Sequence, residues 1–158
     1  MRKRTRAREL SLQFLYQVDL CGEETLKQIN EFLQNESKDE DVVRFATRLI
    51  QGAWEKRNDI DEMIRKIARN WDLNRMAAID RNILRLAIYE MQGDDAPPKV
   101  IINEAIDLGK KFSTQQSGKF INGILDRAKA VLASGGAGVA IEAPPAELAG
   151  EMTTESAE

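Results

Sequence analysis

The chain has 158 residues, with 23 Lys and Arg against 26 Asp and Glu, one cysteine and no histidine, for a formal charge of −3. That length fits about one domain with a sizeable core, and a lone Cys21 excludes an intrachain disulfide and any Cys/His metal site. Without histidine the commonest general acid–base group and the Ser-His and Cys-His nucleophile pairs are gone, so a role that is not enzymatic, with no cofactor and no metal, is expected.

The chain opens on a cationic arm: Arg2, Lys3, Arg4, Arg6 and Arg8 fall within the first eight residues, with no acid among them. On an acidic chain this is a localised feature, and nucleic acid is the commonest polyanion that matches it. Arginine suits phosphate because its planar fork donates two hydrogen bonds while carrying charge. A solvated terminus explains the composition equally well at this point. Met1-Arg2-Lys3-Arg4 also resembles the start of a secretory signal, but no uninterrupted apolar run follows and no stretch of about 20 apolar residues exists. A soluble, cytoplasmic protein with no membrane partner is the expectation.

The arm runs into a helix whose apolar positions, Ala7, Leu10, Phe14 and Val18 with Leu15 beside them, recur at helical spacing until Gly22 stops it. Tyr16 flanks that stripe. Leu26, Ile29 and Leu33 predict a shorter second helix. Asp39-Glu40-Asp41 opens a third, acids being favourable at the positive end of the helix dipole. Its apolar face is read as Val42, Phe45, Ala46, Leu49, Ile50 and Ala53, with Trp54 beside it. Asn58-Asp59 marks a break or cap, followed by a fourth stripe of Ile60, Met63, Ile64 and Ile67.

The fifth helix, from about Leu73 to Met91, is the most apolar: Met76, Ile79, Ile83, Leu84, Leu86, Ala87 and Ile88 leave little polar surface, as in a helix contacted from several sides. On it, the charges of Asp80-Arg81 and Arg85-Tyr89-Glu90 fit a partner contact, and Arg81 and Arg85 fit an ordinary exposed row equally well. Gly93-Asp94-Asp95-Ala96-Pro97-Pro98 is a loop, and Pro98 suits a first helical position. The sixth helix carries Ile102, Ala105, Ile106, Leu108 and Phe112; Ser113-Thr114 ends it. The seventh carries Phe120, Ile121, Ile124, Leu125, Ala128 and Leu132.

No segment alternates with period two, so the expected fold is all-α, a compact domain of seven helices over residues 1–133. Residues 134–158 hold five acids, no Lys or Arg, and runs such as Gly135-Gly136-Ala137-Gly138 and Pro144-Pro145. Such a segment buries too little apolar surface to offset its ordering entropy and is expected to be disordered. Without it the rest of the chain carries a formal +2. The glycine run is no phosphate loop, for it lacks the Lys-Ser/Thr ending and a preceding strand.

Beyond the arm, Lys110-Lys111-Phe112 and Lys119-Phe120-Ile121-Asn122 interleave lysines with aromatics, a pattern that stacks on unpaired bases while amines hold phosphate. Helical spacing, however, groups Phe120 with Ile124, which favours a core position.

These segments, taken together, are similar to a known family. Arg6-Ala7-Arg8-Glu9-Leu10 with Gln13-Phe14-Leu15-Tyr16-Gln17, then Asp80-Arg81-Asn82-Ile83-Leu84-Arg85-Leu86-Ala87-Ile88-Tyr89-Glu90, resemble blocks of the bacterial transcription antitermination factor NusB family. So do Pro98-Lys99-Val100-Ile101-Ile102-Asn103-Glu104-Ala105-Ile106 and Lys119-Phe120-Ile121-Asn122-Gly123-Ile124-Leu125-Asp126. The four blocks stand in the family's order and spacing over roughly residues 4–130. Thr5 interrupts a run that is often unbroken basic in the family, and the acidic tail lies outside the match.

The resemblance implies two perpendicular helical bundles, the second built around a long fifth helix. It implies binding of boxA RNA jointly with NusE, a ribosomal small-subunit protein, within an RNA polymerase antitermination complex that supports ribosomal RNA transcription. Carried over by position, Arg2, Lys3, Arg4, Arg6 and Arg8 with Lys119, Phe120 and Asn122 would face RNA. Phe120 would then be partly exposed and able to stack. Tyr16 and Asp80 would lie on the NusE side. Two alternatives accompany this reading. One is a domain of an rRNA cytosine methyltransferase, which needs a Rossmann-like catalytic domain with a Gly-rich loop that this sequence does not contain. The other is an adaptor, or a homodimer that buries its RNA face.

Overall fold

The computed structural model describes residues 2–69, 73–93 and 95–135. Among them the chain forms seven α-helices and two short 3-10 turns, with no strand. Most of the expected tail, from 136 onward, and Asp94 of the predicted loop lie outside the described residues. The helices fall into two compact units, Met1–Glu55 and Lys56–Glu158.

In the first unit α1 (Lys3–Cys21) leads through a 3-10 turn (Glu23–Gln28) to α2 (Ile29–Glu36) and α3 (Glu40–Glu55). The predicted stripe of α1 is buried: Ala7, Leu10, Phe14, Leu15 and Val18 meet Val42, Ala46, Leu49, Ile50 and Ala53 where α1 packs on α3. Phe14 is closed over by Phe32, the two rings 5.3 Å apart and tilted by 54°. Gly22 ends α1 with φ at 99°, a left-handed region that side chains with a Cβ rarely enter, and its N–H reaches the Val18 carbonyl at 2.8 Å. Asp39 caps α3, its Oδ1 accepting the N–H of Asp41 at 2.9 Å. Leu26, expected on the second helix, falls in the 3-10 turn and is half-buried, and one expected core residue of α3 departs from its stripe: Phe45 is only half-buried. Its position lies at the edge of the apolar arc, where the ring borders solvent and charged neighbours rather than α1's apolar face.

The second unit holds α4 (Arg57–Ile67), a 3-10 turn (Leu73–Arg75), α5 (Ala78–Met91), α6 (Pro98–Phe112) and α7 (Ser117–Ala133). The break expected at Asn58-Asp59 falls slightly earlier, at Lys56, so Asp59 sits in the first turn of α4 where the dipole favours it. The fifth helix is central, packing against α4, α6 and α7. It is shorter than predicted, however, because Ala77 is extended at ψ 136° and separates it from the 3-10 turn. Arg81 bridges that interruption, Nη1 donating to the Leu73 and Met76 carbonyls at 3.4 and 3.5 Å. Helices α6 and α7 come close at Gly109, where an added Cβ would sit 2.7 Å from Ile121 Cδ1. Val131 is buried at the end of α7, and Leu132, expected in the core, is half-buried.

Candidate functional site

The arm is helical from Lys3, so its cations fan around the first turns of α1. No acid occupies that first turn and no side chain caps it. Cations at a helix N-terminus oppose the dipole, and a local rule broken in this way commonly marks a place where an anion binds. Arg2, Lys3 and Arg4 are exposed and Arg6 is half-buried, its Nη1 3.4 Å from Glu9 Oε1.

Arg8 corrects the sequence reading. It is 4% exposed, and its guanidinium lies 5.6 Å from the centre of the Phe45 ring, so it supports the arm from below rather than facing solvent. Arg4 and Arg48 approach the same ring at 4.7 and 5.1 Å. Lys3, Arg4, Asp41, Arg44, Phe45 and Arg48 line a cleft of about 440 Å³. The sequence reading missed Arg44, Phe45 and Arg48. The available signal was Arg44 and Arg48 four residues apart on α3, flanking an aromatic at the margin of the apolar stripe.

Lys3 is tethered to the start of α3: its Nζ lies 2.9 Å from Asp41 Oδ2 and 3.2 Å from Asp39 Oδ2. The hydrogen bonds to Asp41 and Asp39 raise the Lys3 pKa above the ordinary lysine value. For Asp39, desolvation pushes the carboxyl up, but the Asp41 N–H and the Lys3 ammonium together outweigh it and hold the group below the usual carboxylate range. A carboxylate with a lowered folded-state pKa contributes stability above its unfolded pKa and loses it as pH falls through the folded one. The Lys3–Asp39 contact is therefore expected to persist through neutral pH and loosen only in acid below the normal aspartate range. Carboxyl chemical shifts of Asp39 followed through an acid titration check this; a midpoint at or above the ordinary aspartate value contradicts it.

In the other unit, Lys119 and Asn122 are exposed three residues apart on α7, and Lys110 and Lys111 are exposed at the end of α6. Phe120 is not with them. It is 1% exposed, among the largest fully buried side chains, and the partly exposed stacking position is overturned. The 3.6-residue period that sets it beside Ile124 turns its ring inward, away from Lys119 and Asn122.

Asp80 is likewise fully buried, which removes it from direct contact with a partner. In the first turn of α5, its Oδ2 accepts from Ser117 Oγ at 3.2 Å, while Ser113 Oγ and Thr114 Oγ1 lie 3.0 and 3.1 Å from that hydroxyl. Asp80 thus ties the start of α5 to the start of α7, the helix from which Lys119 and Asn122 project. Tyr16 is half-buried on α1, with Leu20 one turn on exposed. The arm and Tyr16 belong to one unit, and Lys119, Asn122 and Asp80 to the other.

No group of His, Cys, Asp or Glu able to hold a metal occurs among the described residues, and no described helix is long and apolar enough to cross a membrane.

Comparison with known proteins gives one consistent answer. A family model described as the NusB family matches residues 5–130. The transcription antitermination protein NusB of Anaeromyxobacter dehalogenans is 45% identical over 126 residues, covering 79% of this chain and 89% of its own. The solved structure of T. maritima NusB is similar with a TM-score of 0.75 and 34% identity, covering 94% of this chain and 96% of that one. A solved complex of the antitermination factors NusB and NusE with dsRNA gives a TM-score of 0.73 and 29% identity, over 83% of this chain and 98% of that one.

Proposed function

The chain belongs to the NusB family, and from that premise we propose that it is a transcription antitermination factor that binds boxA RNA together with NusE in an RNA polymerase elongation complex. It supports ribosomal RNA transcription from the cytoplasm and acts without catalysis. The observation that carries this reading is the family match across residues 5–130, joined to a cationic helix start that lacks any acid in its first turn.

The RNA-facing residues are Arg2, Lys3, Arg4 and Arg6 of the arm, with Lys119 and Asn122 of α7. Arg8 and Phe120 act beneath them, the first by holding the arm against Phe45 and the second by fixing α7. Tyr16 contributes to the NusE side, and Asp80 acts there indirectly, through the start of α7.

The test is fluorescence anisotropy on boxA-like and scrambled RNA strands, with and without NusE, at two salt concentrations. Preferential boxA binding, strengthened by NusE and weakened by salt, is expected. Arg2→Glu with Arg6→Glu should weaken binding about tenfold or more and flatten its salt dependence, with helicity unchanged. Unchanged affinity in that variant removes the arm from the footprint. Absence of RNA binding by the wild-type chain, alone and with NusE, rejects the reading in favour of an adaptor or self-occluded dimer, which sizing in solution separates.

A further inference from the structure

The arm accounts for the cations of α1, but not for those that α3 adds to the same cleft. Arg44 and Arg48 stand one turn apart on the exposed side of α3, and with Lys3 and Arg4 they place four cations around a cleft that Asp41 also lines, with Asp39 reaching Lys3 beside it. Arg44 Nη1 is 3.3 Å from Asp41 Oδ1, and Asp41 Oδ2 is shared with Lys3. One carboxylate therefore meets two cations at its two oxygens, and among the residues described around the cleft the four cations Lys3, Arg4, Arg44 and Arg48 stand beside two carboxylates, Asp39 and Asp41.

The Phe45 ring explains how the cluster is held. Three guanidiniums, those of Arg4, Arg8 and Arg48, lie within 4.7 to 5.6 Å of its centre. Like charges gathered this closely repel one another, and attraction to the ring's negative face offsets part of that cost. A cation–π contact uses the face of a guanidinium and leaves hydrogen bonding to its edge, which matches phosphate oxygens. The ring is already surrounded by cations, so it serves as a post for them and not as a platform for a base. A cleft of about 440 Å³ admits a group the size of a nucleotide.

We infer that α3 carries a second RNA-phosphate subsite, formed by Arg44 and Arg48 around Phe45 and continuous with the arm through Arg4. RNA held by the arm would thus be led along α3. This deepens the reading of the chain as an RNA-binding factor and rests on it. Phe45 is the positioning residue of the subsite; Arg44 and Arg48 touch the phosphates.

The experiment uses the full chain with NusE and a boxA-like RNA, measuring affinity across a salt series for the wild type, Arg44→Gln/Arg48→Gln, and Arg65→Gln/Lys66→Gln. The last variant removes the same charge from exposed positions of α4. For single-stranded RNA each lost phosphate contact lowers the log–log salt slope by about 0.7, so the α3 variant should lose about 1.4 in slope and roughly tenfold in affinity at low salt. The α4 variant should match the wild type. Phe45→Leu should lose part of the affinity and slope, and Phe45→Tyr should restore both.

If the wild type binds RNA and the α3 variant keeps its slope and affinity, the subsite is overturned while the proposed function stands. Equal losses in the α3 and α4 variants also overturn it, since net charge alone would then explain them. A wild type that binds no RNA overturns the proposed function and the subsite together. Unaltered binding in Phe45→Leu removes the ring from the account.

Discussion

Phe120→Ala is expected to lower the stability of the protein by about 3–5 kcal/mol, a large share of the roughly 5–15 kcal/mol that holds a domain folded. The side chain is 1% exposed and lies on the face of α7 that also buries Ile121, Ile124 and Leu125. Truncation removes the transfer free energy of the ring and leaves a cavity that its close-packed neighbours fill only in part. Urea unfolding, with the slope compared to the wild type, measures the loss. RNA affinity of the fraction still folded should fall far less than stability does. The opposite pattern, a loss below about 1 kcal/mol with a marked drop in RNA affinity, would restore Phe120 to the surface as a stacking residue.

The second large effect concerns Asp61 and Arg85. Arg85 Nε reaches Asp61 Oδ1 and its Nη2 reaches Asp61 Oδ2, both at 2.7 Å, a two-pronged pair joining α4 to α5. The side chains are only 12% and 9% exposed. Removing one partner leaves a charge buried without its counter-ion, so Asp61→Ala is expected to cost about 3–5 kcal/mol. Replacing both, as Asp61→Leu with Arg85→Met, should cost much less, because the desolvation of both ions disappears with their attraction. Thermal unfolding of the two single variants and the double variant gives the coupling. Additive losses would mean that the pair is not coupled and that Arg85 is held by other groups, such as Asn82, whose Oδ1 lies 3.5 Å from its Nη1.

Both effects fall on residues whose setting the amino-acid order left open. Arg81 and Arg85 fitted a partner contact and an exposed row equally well, and each finds a partner from another segment of the chain: Asp61 on α4 for Arg85, the Leu73 and Met76 carbonyls for Arg81. Long charged side chains reach several ångströms from their own helix, so their partners are chosen by whatever packs there. Phe45 shows the converse. Its spacing suits the apolar face of α3, yet that face is wider than the surface covering it, and the ring at its margin gathers arginines.

What the sequence determined by itself is the helical frame. Apolar residues at helical spacing named most of the core of every helix, Gly22 and Pro98 marked a stop and a start, and four ordered blocks pointed to the family. These are local properties, set by backbone sterics and by the period with which side chains return to one face. Tertiary structure alone decided which residues of the candidate site reach solvent. Arg8 and Asp80 are covered, while Arg44, Phe45 and Arg48 join the arm; for Phe120 the structure upheld the core position that its spacing with Ile124 favoured. The physical reason is that exposure belongs to a pair of packed surfaces: a helix fixes the direction in which a side chain leaves the backbone, and only the neighbouring helix fixes what it meets.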